Sequence, residues 1–375
     1  MPTDTSTSSL PDSMLAIVTT GHGGYECLET QQRPVPTPGE GEVLIKVLAA
    51  GMNNTEINTR LGWYSSTITT ATQQASSVHD NSDADAATDK PAPPEGGWKG
   101  ETPFPLIQGT DCCGEVVALG PNADASLLGK RVLVRSCMRS EGWDSLENEW
   151  MGSDFDGAFA QFVSVRASEV FAVDCDWSDV ELGSLPCAYG TAENMLEQAE
   201  LKAGERVLIL GASGGVGSAA LQLAKRRGAT VYAVAGVAKH DALAELGADR
   251  LLDRKADLLE LLGHESVDLV VDNVAGDNFP VMMKLLARGG RLVTTGAIAG
   301  PMVTLDLRDL YLKNLRLLGT TAWCEATFPN LIRYVEQGEI RPLIAASFPL
   351  TEIVTAQQQF LSKGHVGKFV LEPWA

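Results

Sequence analysis

The sequence predicts an α/β protein in two parts: a β-rich, partly antiparallel, barrel-like module and a doubly wound parallel sheet flanked by helices. Three observations carry this. Short β-branched runs separated by turn residues fill about the first 180 positions. From residue 201 strand-like and helix-like segments alternate, the pattern of βαβ units. The last fifty or so residues then return to a short helix, 328–337, and strand-like ends. A length of 375 residues favours two cores over one. The β-rich part is placed at 1–184 with 326–375, and the parallel-sheet part at 185–325.

In chain order, the β-like runs of the first part are 42–50, 114–120, 130–136 and 159–167. Residues 63–103 interrupt them with a Ser/Thr/Asp/Pro-rich stretch without hydrophobic periodicity, expected to be a solvated surface insertion. Trp63, Tyr64 and Trp98 flank it, so folding over a pocket is the alternative. In the second part the expected strands are 206–211, 230–236, 267–274 and 291–297, with helices at 216–227, 239–246 and 277–287. Val216, Ala219, Ala220, Leu223 and Ala224 share one face of the first helix, and Gly228 can stop it.

A formal net charge of −19 argues against nucleic-acid or anionic-membrane partners. The first residues, MPTDTSTSSLPDS, have neither a basic nor an apolar leader region, and no apolar run approaches a membrane span, so a cytoplasmic protein is expected. Seven cysteines without a C-x-x-C pair suggest reduced thiols. The adjacent Cys112 and Cys113 sit in a β-like run, where successive side chains face opposite ways, so they read as buried structural thiols and not as a shared metal site.

RVLILGASGGVGSAALQLAKRRGA is the most specific stretch, an apolar strand running through a glycine turn into an amphipathic helix. Its turn residues Ser213, Gly214, Gly215, Val216 and Gly217 would let a pyrophosphate approach the backbone at a helix N-terminus, although Ala212 stands where a strict fingerprint has glycine. The bland alternative is a tight turn without ligand. The next strand ends at Gly236 with no acid to hold a ribose 2′-hydroxyl. Lys239 and Arg254 follow instead and could meet a 2′-phosphate, so NADPH is expected over NADH; solvated surface charge is the competing reading for both.

With the segments AAGMNNTEINTRLG (49–62), PLIQGTDCCGEVVALG (105–120), LPCAYGTAENML (185–196), GASGGVGSAALQLAK (211–225) and HVGKFVLEP (365–373), the chain resembles the medium-chain dehydrogenase/reductase superfamily, and within it the zinc-independent quinone oxidoreductase-like branch. The resemblance implies a GroES-like catalytic part, a Rossmann cofactor part and a homodimer. It implies Asn53 and Tyr64 as catalytic residues, and Thr191, Asn273, Gly296, Ala297, Ile298 and Lys368 as cofactor contacts. Another active-site tyrosine of the branch is Asn58 here. Where zinc enzymes of the superfamily have a cysteine and a histidine ligand, this chain has Asn53 and Thr110, and only Cys187 matches the third ligand. No metal is expected, with a weak Asp111/Cys187/Glu56 site as the alternative.

Without a Lewis acid, hydrogen-bond donors must hold developing negative charge, which suits conjugated acceptors. The expected function is NADPH-dependent hydride transfer to a small molecule, a quinone or an α,β-unsaturated carbonyl. The alternatives are a zinc-type alcohol dehydrogenase, separable by metal analysis, a non-catalytic NADPH-binding protein, and an enoyl-thioester reductase, which would need basic residues at its pocket mouth.

Overall fold

The computed structural model describes residues 10–80, 97 and 100–375. Six parallel strands form one open sheet in the order Arg250–Asp253, Thr230–Ala235, Arg206–Leu210, Val267–Val271, Leu286–Thr294, Arg316–Gly319. The winding reverses between Arg206–Leu210 and Val267–Val271, as in a Rossmann fold, and the crevice beyond those two strand ends is where such sheets take ligands. The apolar run of Arg206–Leu210 follows from burial on both faces. Val207 and Ile209 pack with helices Pro186–Gln198 and Gly215–Arg226, while Leu208 packs with Phe279 and Met282 of Phe279–Leu285.

The β-rich part is organised around Glu42–Gly51. It pairs antiparallel with Cys113–Leu119 and Phe162–Arg166, and its end pairs with Lys368–Glu372 from the end of the chain. That last pairing, Val370 opposite Gly51, brings Lys368 beside residues 52 and 53. Cys113 opens the strand and Cys112 immediately precedes it; both are fully buried but belong to different apolar clusters, so their side chains enter different cores.

Helix Pro186–Gln198 was not expected from periodicity. Eleven of its thirteen residues, Pro186 through Leu196, are buried, so it shows little polar face for an amphipathic pattern to reveal. A Cβ at Gly190 would lie 2.1 Å from the Trp323 ring, so only glycine lets this helix approach so closely.

The insertion is more ordered than a solvated loop over its first half. Trp63 is buried and donates from its indole to Thr70 O at 2.9 Å, helix Thr72–Asp80 follows, and Thr72 N–H donates to Ile298 O of the parallel-sheet part at 3.2 Å. Residues 81–96, 98 and 99, including Trp98, lie outside the described residues. Among the described residues no helix is long and apolar enough to cross a membrane.

Candidate active site

Asn53 caps helix Asn54–Arg60, with its N–H donating to Glu56 Oε2 at 2.7 Å. Its side chain is engaged at both ends: Oδ1 accepts from Lys368 Nζ, and Nδ2 donates to Asp111 Oδ2 at 3.0 Å. A second Nδ2 contact, to Glu56 Oε1, is 3.5 Å long and therefore weak. Lys368 Nζ also donates to Met52 O at 2.7 Å and to Asp111 Oδ2 at 3.0 Å. Asp111 Oδ1 accepts from the Cys187 N–H near the start of helix Pro186–Gln198. Lys368 and Asp111 are 3% and 0% exposed, so the pair is a buried ion pair satisfied by hydrogen bonds, the only form in which two charges are tolerable there.

Glu56 completes the hollow, accepting from Thr110 N–H at 3.0 Å. Burial holds its carboxyl above the usual carboxylate range, against the lowering effects of that hydrogen bond and of Lys368. Burial likewise pushes the Cys187 thiol up, with Asp111 adding to the rise. Tyr64 reaches the same hollow: its hydroxyl hydrogen-bonds with Asn58 and Thr55, and Glu56 and Cys187 are close enough to bear on its charge. Burial raises the Tyr64 phenol, keeping it a neutral donor.

The glycine turn lies at the adjoining strand end. Gly211 adopts φ +62°, and a Cβ at Gly217 would stand 2.3 Å from Gly211 O and 2.7 Å from Ala212 Cα, so this glycine permits the helix to sit against the strand. A Cβ at Gly214 would meet only Gly211 O, at 3.5 Å, leaving an open cradle at the N-cap of Gly215–Arg226. The cradle suits the pyrophosphate of a nicotinamide dinucleotide. A Cβ at Gly215 would stand 2.6 Å from Lys368 Cδ, so the lysine stem runs past the turn into the Asn53 hollow.

The remaining sequence-derived residues fall around this crevice. Thr191 is buried on Pro186–Gln198 and hydrogen-bonds the Cys187 thiol. Asn273 follows Val267–Val271, its Oδ1 accepting from Thr295 N–H at 3.0 Å and its carbonyl from Ile298 N–H at 3.3 Å. This holds Gly296, Ala297 and Ile298 beside it. Lys239 and Arg254 stand near Gly236, the arginine exposed and the lysine part-buried. The Asp111–Lys368 pair was not assigned from sequence. A cavity of about 380 Å³ lined by Arg135, Arg139, Trp143 and Phe171 lies elsewhere, and its Arg135 is already paired with Glu169 at 2.6 Å.

Two family profiles match the chain: "Alcohol dehydrogenase GroES-like domain" over residues 81–174 and "Zinc-binding dehydrogenase" over 215–337. A solved Sinorhizobium meliloti protein, provisionally described as an alcohol dehydrogenase, is 42% identical with a TM-score of 0.86, covering 97% of this chain and 98% of its own. The chain belongs to the medium-chain dehydrogenase/reductase superfamily. It is an oxidoreductase of the quinone oxidoreductase-like branch, with a GroES-like domain and a Rossmann cofactor domain. Acryloyl-coenzyme A reductase of Metallosphaera sedula is 27% identical over 96% of this chain and 99% of its own length. Human quinone oxidoreductase is 25% identical over 93% and 94%.

One profile's description raises the question of zinc, and the donors present do not suit it. Among the described residues no group of three or more His, Cys, Asp or Glu side chains is placed to hold a metal ion. Asp111, the carboxylate nearest in role, is occupied by an ammonium, an amide and a backbone N–H.

Proposed function

We propose that this superfamily member is a zinc-independent reductase that uses NADPH to deliver hydride to a conjugated acceptor, a quinone or an α,β-unsaturated carbonyl. The observation that carries the reading is the ammonium of Lys368 seated between Asn53 and Asp111, where a metal-dependent relative would need ligands free. The names of the relatives agree in chemistry, since acryloyl thioesters and quinones both delocalise added charge.

Bound NADPH supplies the hydride. Residues 213–217 hold its pyrophosphate, Lys239 and Arg254 its 2′-phosphate, and Thr191, Asn273 and 296–298 the nicotinamide end. Asn53 is held rigid by Lys368 and Asp111, and its weakly engaged second N–H turns to the acceptor oxygen. Tyr64 is a second neutral donor and a source of the proton that completes reduction. The protein acts in the cytoplasm as a homodimer. Its edge strand Arg316–Gly319, with exposed Leu307, Tyr311 and Leu312 nearby, supports self-association.

The test is NADPH oxidation followed by absorbance with benzoquinone, an enal, an enone and a simple ketone, with NADH in parallel. Turnover confined to the conjugated acceptors, faster with NADPH, is expected. Ketone reduction abolished by a chelator would overturn the proposal in favour of a zinc-type alcohol dehydrogenase.

A further inference from the structure

The first half of the insertion ties the β-rich part to the parallel-sheet part. Trp63 and Tyr64, which follow helix Asn54–Arg60, meet edge to face with ring centres 5.6 Å apart. The Trp63 indole reaches forward to Thr70 O at 2.9 Å and closes the loop between them, inside which Ile68 N–H donates to Ser65 O at 3.0 Å. Helix Thr72–Asp80 starts just beyond, with Ala71 O accepting from the N–H groups of Gln74 and Ala75, both at 3.0 Å. Its buried residues Thr72, Ala75 and Ser76 are small and share one helix face, so this helix lies close against its neighbours without any apolar stripe in the sequence.

On the other side lies the turn 296–300, which follows strand Leu286–Thr294. Ile298 O accepts from Thr72 N–H at 3.2 Å while Ile298 N–H donates to Asn273 O at 3.3 Å, so this one residue is held from both sides. A Cβ at Gly300 would stand 3.7 Å from Thr69 O and 4.0 Å from Ala71 N, in ordinary contact with the insertion. Ala297 packs against the apolar cluster of the β-rich part, the cluster that contains Trp63 and Ala75. As the first N–H of its helix, the Thr72 group has no acceptor within the helix and is free to hold the other part.

We propose that Thr72 is a positioning residue: through Ile298 it sets the register between Tyr64 and the nicotinamide end of the cofactor, so that residues 63–72 respond to cofactor binding. The inference rests on the placement of the nicotinamide at 296–298 and extends it to the inserted segment. Reduction needs a hydride from the cofactor and a proton from Tyr64, and these two donors stand on different parts of the molecule. A tie between the loop that begins at Tyr64 and the turn beside the nicotinamide limits how far they drift apart, and small misplacements of reacting groups are costly.

Backbone hydrogen exchange of the full chain, read by mass spectrometry with and without NADPH or NADH, tests the coupling in wild type, T72A and T72P. T72A keeps the N–H and removes a hydroxyl that has no hydrogen-bond partner, whereas T72P removes the N–H at a helical position that accommodates proline. Bound cofactor should slow exchange in 296–300 in all three forms. In wild type and T72A it should also slow exchange over 64–70 by about three- to tenfold, the net worth of one hydrogen bond, and in T72P this second effect should vanish. W63F removes the other tie, to Thr70 O, and should abolish the protection of 64–70 in the same way, so the coupling is tested even where T72P fails to fold. With a conjugated acceptor, kcat should fall about three- to tenfold in T72P and stay unchanged in T72A.

Protection absent from 64–70 in the wild type, or unchanged in either T72P or W63F, overturns the coupling and leaves the nicotinamide placement standing. Bound cofactor that leaves 296–300 unprotected overturns that placement and the inference with it, as does failure to bind either dinucleotide. Equal turnover in T72P and T72A overturns the positioning of Tyr64. Absence of turnover with every acceptor overturns the proposed reaction, while hydrogen exchange still decides the coupling.

Discussion

Lys368→Met isolates the buried ion pair on which the site geometry depends. The thioether side chain keeps most of the lysine stem that passes Gly215, so the change removes charge with little loss of packing. It leaves the Asp111 carboxylate, 0% exposed, with only the Asn53 amide and the Cys187 N–H, and it strips Met52 O and Asn53 Oδ1 of their donor. Breaking a buried pair from one side costs about 3–5 kcal/mol. At roughly 2 °C per kcal/mol for a chain of this size, the melting temperature should drop by about 6–10 °C. Removing the orphaned charge as well, in D111N/K368M, should recover most of that loss, because the cost is chiefly the unpaired carboxylate. Thermal unfolding of the two single variants and the double variant decides it. A loss under about 1 kcal/mol for K368M, or single effects that simply add in the double variant, would refute the ion-pair account.

The two glycines should separate fold from ligand. G217A drives a Cβ into backbone and should cost about 1–3 kcal/mol as well as cofactor binding, whereas G214A should keep the melting temperature and lose only affinity, read by NADPH fluorescence. N53A should lower kcat about 100- to 1000-fold with NADPH affinity retained in stopped-flow and binding measurements. The K239A/R254A variant should bring the NADPH and NADH dissociation constants together. For His365, the folded form resists protonation until about pH 4 while the unfolded chain takes a proton near 6.5, so stability rises with pH across that window. In denaturant titrations H365F should remove that slope and leave stability above pH 7 little changed.

What was legible in the sequence follows what local pattern can encode. The run 206–211 shows as a strand because it is apolar on both faces and ends in a glycine turn. Arg316–Gly319 did not show, since an edge strand with mostly exposed side chains carries neither alternation nor a continuous apolar run. Asn53 and Lys368 were reachable through motifs. Their mutual contact was not, because it joins residues 315 apart and exists only through the pairing of Lys368–Glu372 with Glu42–Gly51. His365 reads from sequence as a surface or loop histidine, and its stacking on Phe369 becomes visible only when the loop is placed.

The charge balance of the Asn53 hollow bears on which acceptors it can reduce. One ammonium faces two carboxyl groups, Asp111 and Glu56, and burial, with a smaller push from Asp111, holds the Glu56 carboxyl above the usual range against the lowering effect of Lys368, so its charged form is disfavoured. Each ionised carboxylate about 4 Å from a new oxyanion would raise its energy by about 4 kcal/mol at an effective dielectric constant near 20. A localised alkoxide, formed from a simple ketone, would meet that penalty in full, offset by the proposed amide and phenol donors and by the attraction that the Lys368 ammonium keeps beyond its pairing with Asp111. An enolate or a quinol anion spreads the same charge over several atoms, most of them farther from the carboxylates, so the opposing field falls while the hydrogen bonds to its oxygen remain. With Asn53 and Tyr64 in their proposed roles, this charge balance favours a conjugated acceptor over an unconjugated one, in line with the proposed function.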